Sequence, residues 1–284
     1  MPLEQHWIGD PAELLRVNPQ FVLAEQPTDA SPGFDGGKKA GATALTEGAG
    51  ILSGLQERFF AGSLFGDRRS VLLVLQAMDT AGKGGIVRHV VGAVDPQGVH
   101  HHAFKKPSEE ELAHDFLWRV RRELPEAGQL GVFDRSHYED VLIARVRALA
   151  DETELHRRYR AINNFESELV ETGTTVIKVM LHLGNAEQKA RLAKRLDRPD
   201  KYWKYTPGDV DERLNWDAYQ DAYATVFELT NTEAAPWYVI PADKKWYARL
   251  AVQWLLIDAL RRLDPRWPSA SYDVEAEKAR LAAS

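Results

Sequence analysis

The sequence predicts an α/β protein built on a parallel, doubly wound sheet, and three observations carry that reading. Apolar runs with little alternation at Val71 to Leu75, Leu130 to Phe133, Thr174 to Leu181 and Trp237 to Ile240 have the length of strands covered on both faces. Stretches of helical spacing lie between them, so strand and helix alternate along the chain. The first run feeds a turn, Ala81-Gly82-Lys83-Gly84-Gly85, that opens into a helical pattern reaching Val91. A buried strand, a glycine-rich turn and a helix in that order form a cradle whose backbone N–H groups can face phosphate oxygens.

Residues 1–50, rich in Gly, Pro, Ala and Thr after Ser31, read as an extended N-terminal arm, although helical spacing already begins at Leu45 and runs to Phe60. After the glycine-rich turn and its helix, Asp95-Pro96 is a stop and Gly98 turns the chain into a strand at Val99 to Phe104. His100, His101 and His102 on that strand alternate faces and cannot converge on one metal ion. Ser108 with Glu111 forms a capping box for a helix whose Leu112, Phe116 and Val120 make an apolar stripe. Arg119, Arg121 and Arg122 near its far end read as a solvated or dipole-complementing face. Asp151 to Glu171 is an amphipathic helix, Asn185 to Leu196 a basic one, and Val210 to Leu229 and Trp246 to Leu263 two more. The expected organisation is an arm (1–50), one domain (51–264) with a helical lid at 185–213, and a polar tail (265–284).

With 284 residues, 44% hydrophobic and 27% charged, the chain is long enough for one substantial α/β core. A net charge of −6 gives no reason to expect general nucleic-acid or membrane binding. No apolar segment is long enough to span a bilayer, and the N-terminus MPLEQHWIGD lacks the pattern of a signal peptide, so a cytoplasmic protein is expected. The absence of cysteine rules out disulfides, thiolate metal sites and a cysteine nucleophile. Any polyanion must be met locally, and Lys178 to Lys204 holds eight Lys or Arg against three acidic residues.

Lys83 places a fixed positive charge in the turn, while Gly82, Gly84 and Gly85 let the backbone fold tightly beside Ala81. The match to the pattern G-x-x-x-x-G-K-[ST] is incomplete, because Ala77 stands at the first glycine and Gly84 replaces the hydroxyl that touches Mg²⁺. Asp79 can supply the missing metal ligand, or it caps the following helix. Asp134, at the C-terminal end of the second apolar run, is placed to hold Mg²⁺ beside Lys83, its alternative being a helix N-cap. Arg135 either reaches a phosphate or pairs with a neighbouring acid. The loop from Asp197 to Asp209 interleaves Arg198, Lys201 and Lys204 with Tyr202, Trp203 and Tyr205, which suits a mobile lid closing on phosphates and a base.

Together AMDTAGKGG at 77–85, FDRSHYEDVL at 133–142 and the segment from Glu187 through Arg213, with RLDRPDKYWK, resemble the family-2 polyphosphate kinases. KPSEEELAHDFLWRV and APWYVIPADKKWY support the likeness, which covers roughly Gly36 to Leu263. The resemblance implies a three-layer P-loop kinase fold and reversible transfer of the terminal phosphoryl group of inorganic polyphosphate to ADP. It implies AMP as a further acceptor, adenine and guanine nucleotides as candidates, and a homo-oligomer, dimer or tetramer. It makes Asp79 and Asp134 ligands of Mg²⁺, with Mn²⁺ as substitute, and sets Lys83 and Arg135 against phosphates. Arg191, Arg195 and Lys204 then belong to the lid and polyphosphate channel; beside the resemblance, Lys178 of the basic stretch and Lys201 and Trp203 of the lid loop are expected phosphate or nucleotide contacts.

The sequence HYEDVL resembles the branch serving both mono- and diphosphates, with Glu139 and Asp140 placed to hold a second cation or position a shorter nucleotide, or simply to begin the next helix. That branch more often carries an acidic residue where this chain has Gly84. An ATP-dependent kinase of a small molecule and a non-catalytic nucleotide sensor are the competing readings of the same cradle.

Overall fold

The computed structural model describes residues 4–284. Its centre is a five-stranded sheet in the order β2-β3-β1-β4-β5, every pair parallel. The strands are β1 (Ser70–Gln76), β2 (Val99–Ala103), β3 (Leu130–Asp134), β4 (Thr174–His182) and β5 (Trp237–Pro241). Strand β1, buried along its whole length, lies between β3 and β4. The chain first crosses to the β2 and β3 side and then back to β4 and β5. A crevice therefore opens at the carboxyl edge beside β1, where the winding reverses. Register brings Leu75 opposite both Asp134 and Val179, so the last residue of β3 borders the turn that follows β1.

Alternation sorts the central strands between two apolar layers. Val71, Leu73 and Leu75, with Ile177, Val179 and Leu181, pack under α2 (Lys38–Ser63), α3 (Lys83–His89) and α11 (Lys245–Leu263). Leu72, Val74, Val176 and Met180 pack under α6 (Glu139–Val146), α7 (Glu152–Glu171) and α10 (Trp216–Thr230). This is the three-layer arrangement that the resemblance implies.

Helix α2 begins at Lys38, well before the expected domain start at 51, and the Gly- and Ala-rich stretch taken for arm forms its first three turns. Small residues are poor signals of helix, yet here they allow close approach to α11. A Cβ on Gly41 would lie 2.3 Å from the Trp246 ring. Gly41→Ala is therefore expected to destabilise the fold by about 1–3 kcal/mol despite its better helix propensity. Denaturant melts compared with Gly50→Ala, whose Cβ meets nothing within 4 Å, check this.

The residues before α2 include α1 (Pro11–Leu15), capped by Asp10, and they lie against β5 through Val17 N donating to Trp237 O at 2.9 Å.

The capping box at Ser108 and Glu111 is present, but the single helix expected after it is divided into α4 (Glu109–Leu112) and α5 (Trp118–Arg121). In the turn between them the Asp115 carboxylate accepts from Leu117 N at 3.0 Å. Leu112 is consequently 69% exposed and belongs to no apolar stripe. Arg119, expected on a solvated face, is buried and donates to Asp140 and to Lys105 O, both at 3.0 Å. The helix expected from Val210 to Leu229 is likewise two, α9 (Gly208–Leu214) and α10, joined at Asn215. His100 and His102 share a face of β2 and both meet the Glu123 carboxylate, at 3.1 and 3.0 Å. The helices α8 (Asn185–Leu196) and α12 (Val274–Ala282) complete the chain, and among the described residues no helix is long and apolar enough to cross a membrane.

Candidate active site

Strand β1 leads into the turn Ala77 to Gly82 and then α3. Gly82 takes φ +124°, a conformation that favours glycine, and Thr80 is held at φ +68°. The turn borders a cleft of about 710 Å³ lined by Asp79 to Ile86, by Asp134 and Arg135, and by residues of α8, the 3₁₀ segment Pro199–Lys204 and α11. Twelve lining residues are Lys or Arg against two carboxylates, Asp79 and Asp134. In a protein of net charge −6, such local excess marks a site for a highly charged anion.

Lys83 Nζ lies 4.0 Å from Asp134 Oδ1 and donates to Ala77 O at 3.3 Å. Arg135, with φ +66°, turns back so that its guanidinium reaches Asp79 Oδ1 at 3.4 Å. The two cations and two carboxylates thus interleave, as the sequence suggested. Burial works against the Arg135 charge, but Glu139, Asp79 and Asp134 around it raise its pKa. Glu139 is raised by burial, although Arg135 and Lys83 pull it down. The Gln76 amide, oriented to satisfy both of its ends, donates to Glu139 at 2.9 Å and accepts from Ser136. Asp140 is committed to Arg119 and is not available for a second cation.

Asp79 and Asp134 are suited to a hard divalent cation. Their side chains, 30% and 25% exposed, both line the cleft with Lys83. Mg²⁺ is typically held by one or two carboxylates, with waters and phosphate oxygens completing its shell. The donor set fits that pattern.

Three sequence expectations need correction. Lys178 is fully buried in the middle of β4, among α7 and α10 rather than in the cleft. Its ammonium donates to Glu166 at 2.6 Å, Thr230 O at 2.7 Å and Tyr138 Oη at 3.0 Å, so it contacts no phosphate. Strand alternation places it on the same face as Val176 and Met180. Arg191 borders the cleft but is only 5% exposed. Its guanidinium is occupied by the carbonyls of Thr80, Ala81, Ala242 and Asp243 at 2.7–3.0 Å and by Glu187 at 2.8 Å. It braces the cradle instead of binding polyanion. Trp203 is 77% exposed and outside the cleft, its ring under Lys204 Nζ at 4.8 Å.

Arg195, Lys201 and Lys204 do line the cleft, as do Ala81, Gly82, Gly84 and Gly85. Arg195 also donates to Lys204 O and to Asp209, tying α8 to the following segment. Sequence reasoning missed Arg88, Lys105, Lys245 and Arg249 of the lining, and held Lys194 only within the basic stretch Lys178 to Lys204. A signal for two of them was present. Lys245 and Arg249 are four apart in the first turns of an apolar helix, where cations oppose the helix dipole and are favoured only if an anion is bound nearby.

A parallel sheet with a glycine-rich cradle at its reversal point, a cradle lysine and a strand-end aspartate define a nucleotide- and phosphate-handling protein of the P-loop kinase fold. The sequence model of the family "Polyphosphate kinase 2 (PPK2)" matches residues 38–267, and the chain belongs to that family. The crystal structure of polyphosphate kinase 2 from Arthrobacter aurescens TC1 superimposes with a TM-score of 0.96 at 56% identity, covering 98% of each chain. An AMP/ADP-polyphosphate phosphotransferase of Meiothermus ruber is 44% identical over 255 residues, 89% of this chain and 94% of that one. An ADP-polyphosphate phosphotransferase of Rhodopseudomonas palustris is 43% identical over 232 residues, 78% and 79% of the two chains.

Proposed function

We propose that the protein transfers the terminal phosphoryl group of inorganic polyphosphate to ADP, and also to AMP, reversibly and with Mg²⁺. The observation that carries this reading is the cleft itself, twelve cations converging on a cradle that holds only two carboxylates. A conventional acceptor pocket for a small neutral molecule needs no such lining.

In the forward direction a terminal oxygen of the nucleotide attacks the end phosphorus of the chain. One phosphoanhydride bond breaks, and the shortened polyphosphate leaves as an anion. No general base is required, since the attacking oxygen is already ionised near neutral pH. Lys83 and Arg135 stand where negative charge gathers on the transferred group, and the backbone of Ala81 to Gly85 lines the space for adjacent phosphates. Mg²⁺ held by Asp79 and Asp134 would neutralise phosphate charge and align the two reactants. Residues 185–213 act as the lid, with Arg195, Lys201 and Lys204 closing on polyphosphate, and Glu139 beside Arg135 positions the shorter acceptor. Adenine and guanine acceptors, and a dimer or tetramer, complete the proposal.

Incubation with polyphosphate, Mg²⁺ and AMP alone, followed by nucleotide chromatography, tests the reading. Accumulation of ADP and then ATP is expected. Conversion of ADP but not AMP would remove the dual-acceptor claim, and conversion of neither would remove the function. Because the binding is electrostatic, KM for polyphosphate is expected to rise several-fold between 50 and 200 mM salt. Lys204→Ala should raise it roughly three- to tenfold, with a smaller change in KM for ADP. An unchanged salt profile would argue against the cleft as the polyphosphate site.

A further inference from the structure

The N-terminal arm meets the β5–α11 loop beside the active site at Asp243. Its Oδ1 accepts from Gly184 N at 2.8 Å, its Oδ2 accepts from Thr28 Oγ1 at 2.8 Å, and its backbone N donates to Thr28 O at 3.1 Å. Nearby, the buried ring of His182, the last residue of β4, makes a hydrogen bond to Gln26 O at 3.2 Å. Two arm residues therefore hold the end of β4 and the start of the β5–α11 loop together. The Asp243 carboxylate satisfies the N–H of the residue that caps α8.

The same residue continues the connection into the cradle. Arg191 of α8 donates to Asp243 O at 2.9 Å and Ala242 O at 2.7 Å, and its other terminal nitrogen donates to Thr80 O and Ala81 O. Gly184 shows how closely the parts fit. Its φ of −73° suits any residue, yet a Cβ there would lie 2.8 Å from Thr28 Oγ1 and 3.0 Å from Asp243 Oδ2. A Cβ here would push aside the Thr28 hydroxyl and the Asp243 carboxylate without straining the local backbone.

We infer that Asp243 is a positioning residue for phosphoryl transfer: with Thr28 of the arm it fixes the base of α8, and through Arg191 it fixes the phosphate cradle. The lid then moves beyond Arg191, while the first half of α8 stays fast to the sheet. Arg195 lies roughly 16 Å along the helix from Gly184 at 1.5 Å per residue, so a tilt of about 5° at the base displaces it by ~1.4 Å. Misplacement on that scale costs on the order of 100-fold in rate. The contact from Gln188 Nε2 to Asp79 O, 3.2 Å, would shift with it.

The inference rests on the polyphosphate reading for its kinetic arm, while hydrogen exchange tests it independently. In the full-length chain with polyphosphate and ADP, Asp243→Ala is expected to lower kcat roughly 30- to 100-fold and Thr28→Val roughly three- to tenfold, with KM for ADP within about twofold. Thr28→Ser, which keeps the hydroxyl, restores wild-type turnover. Amides of residues 185–196 exchange about tenfold faster in Thr28→Val and Gly184→Ala, while those of β1 and β4 keep their protection. Should Asp243→Ala not fold, these two variants carry the test. Turnover within twofold of wild type in Thr28→Val and Gly184→Ala, or faster exchange spread evenly over the sheet, would overturn the inference. If wild-type protein shows no transfer from polyphosphate, the function proposed above fails, and exchange in α8 still decides whether the arm fixes it.

Discussion

Asp134→Asn and Asp79→Asn are each expected to reduce phosphoryl transfer by roughly a thousandfold or more, while the unfolding temperature barely moves. Both reactants are polyanions, so the barrier is set by charge, and loss of a carboxylate that holds the cation removes several kcal/mol of stabilisation specific to the transition state. Stability responds differently. The two carboxylates are partly exposed, and their ionic partners stand at 4.0 Å from Asp134 and 3.4 Å from Asp79, too far for strong pairing. Amide replacements keep the shape of the cleft, so the change in folding free energy should stay within about 1 kcal/mol. Steady-state assays and calorimetry on the same samples check both halves. Turnover above a tenth of wild type in both variants would remove these residues from the metal site.

The largest loss of stability is expected from Lys178→Met. Lys178 and Glu166 are both buried, 2.6 Å apart, and the same carboxylate accepts from Tyr138 Oη at 2.8 Å and meets His137 at 3.3 Å. Burial alone would raise Glu166, but Lys178 and His137 override it and hold its pKa below the ordinary carboxylate value. Removing the ammonium strands that charge, at a cost of about 3–5 kcal/mol, or a fall in melting temperature of roughly 6–20 °C. The pH dependence of the deficit has a definite sign. Without Lys178 the buried carboxyl should titrate above its unfolded value of about 4.5, so its proton is retained on folding at low pH and must be given up as pH rises. The deficit should therefore be smaller at pH 5 than at pH 8. Guanidinium melts at the two pH values measure it, and an equal loss at both would show that Glu166 is not the source.

Strands, layers and the cradle were legible because the burial of a parallel sheet leaves apolar runs, and because a turn that must fold around phosphate needs glycine at a position such as Gly82, with φ +124°. The placement of Asp79, Asp134 and Arg135 at the cleft was legible for a related reason, each lying within three residues of a strand's carboxyl end. That of Lys83 was legible because it opens the helix after the glycine-rich turn. Lys178 was misread because a count of charges along the chain ignores depth, and a lysine in mid-strand faces a helical layer. Arg191 was misread because sequence shows a cation but not the four carbonyls that occupy it. The start of α2 was hidden by small residues, whose helix-forming role depends on α11 lying against them. Asp243 stood inside the quoted stretch APWYVIPADKKWY, but nothing there indicated its role. Its partners, Thr28 and Gly184, are remote in sequence, and no periodicity connects them.

That remoteness bears on how the protein is made. The cradle occupies the first third of the chain, yet the carbonyls of Ala242 and Asp243 that complete the Arg191 brace are supplied near its end, and Thr28 meets Asp243 across 215 positions. Contacts of such separation form late, since loop closure must precede them. On the ribosome, a chain that has exposed the cradle and α8 still lacks the loop against which both are fastened. The basic cleft, which would gather any polyanion in its surroundings, thus takes its working shape only after the sheet has closed and synthesis has passed β5.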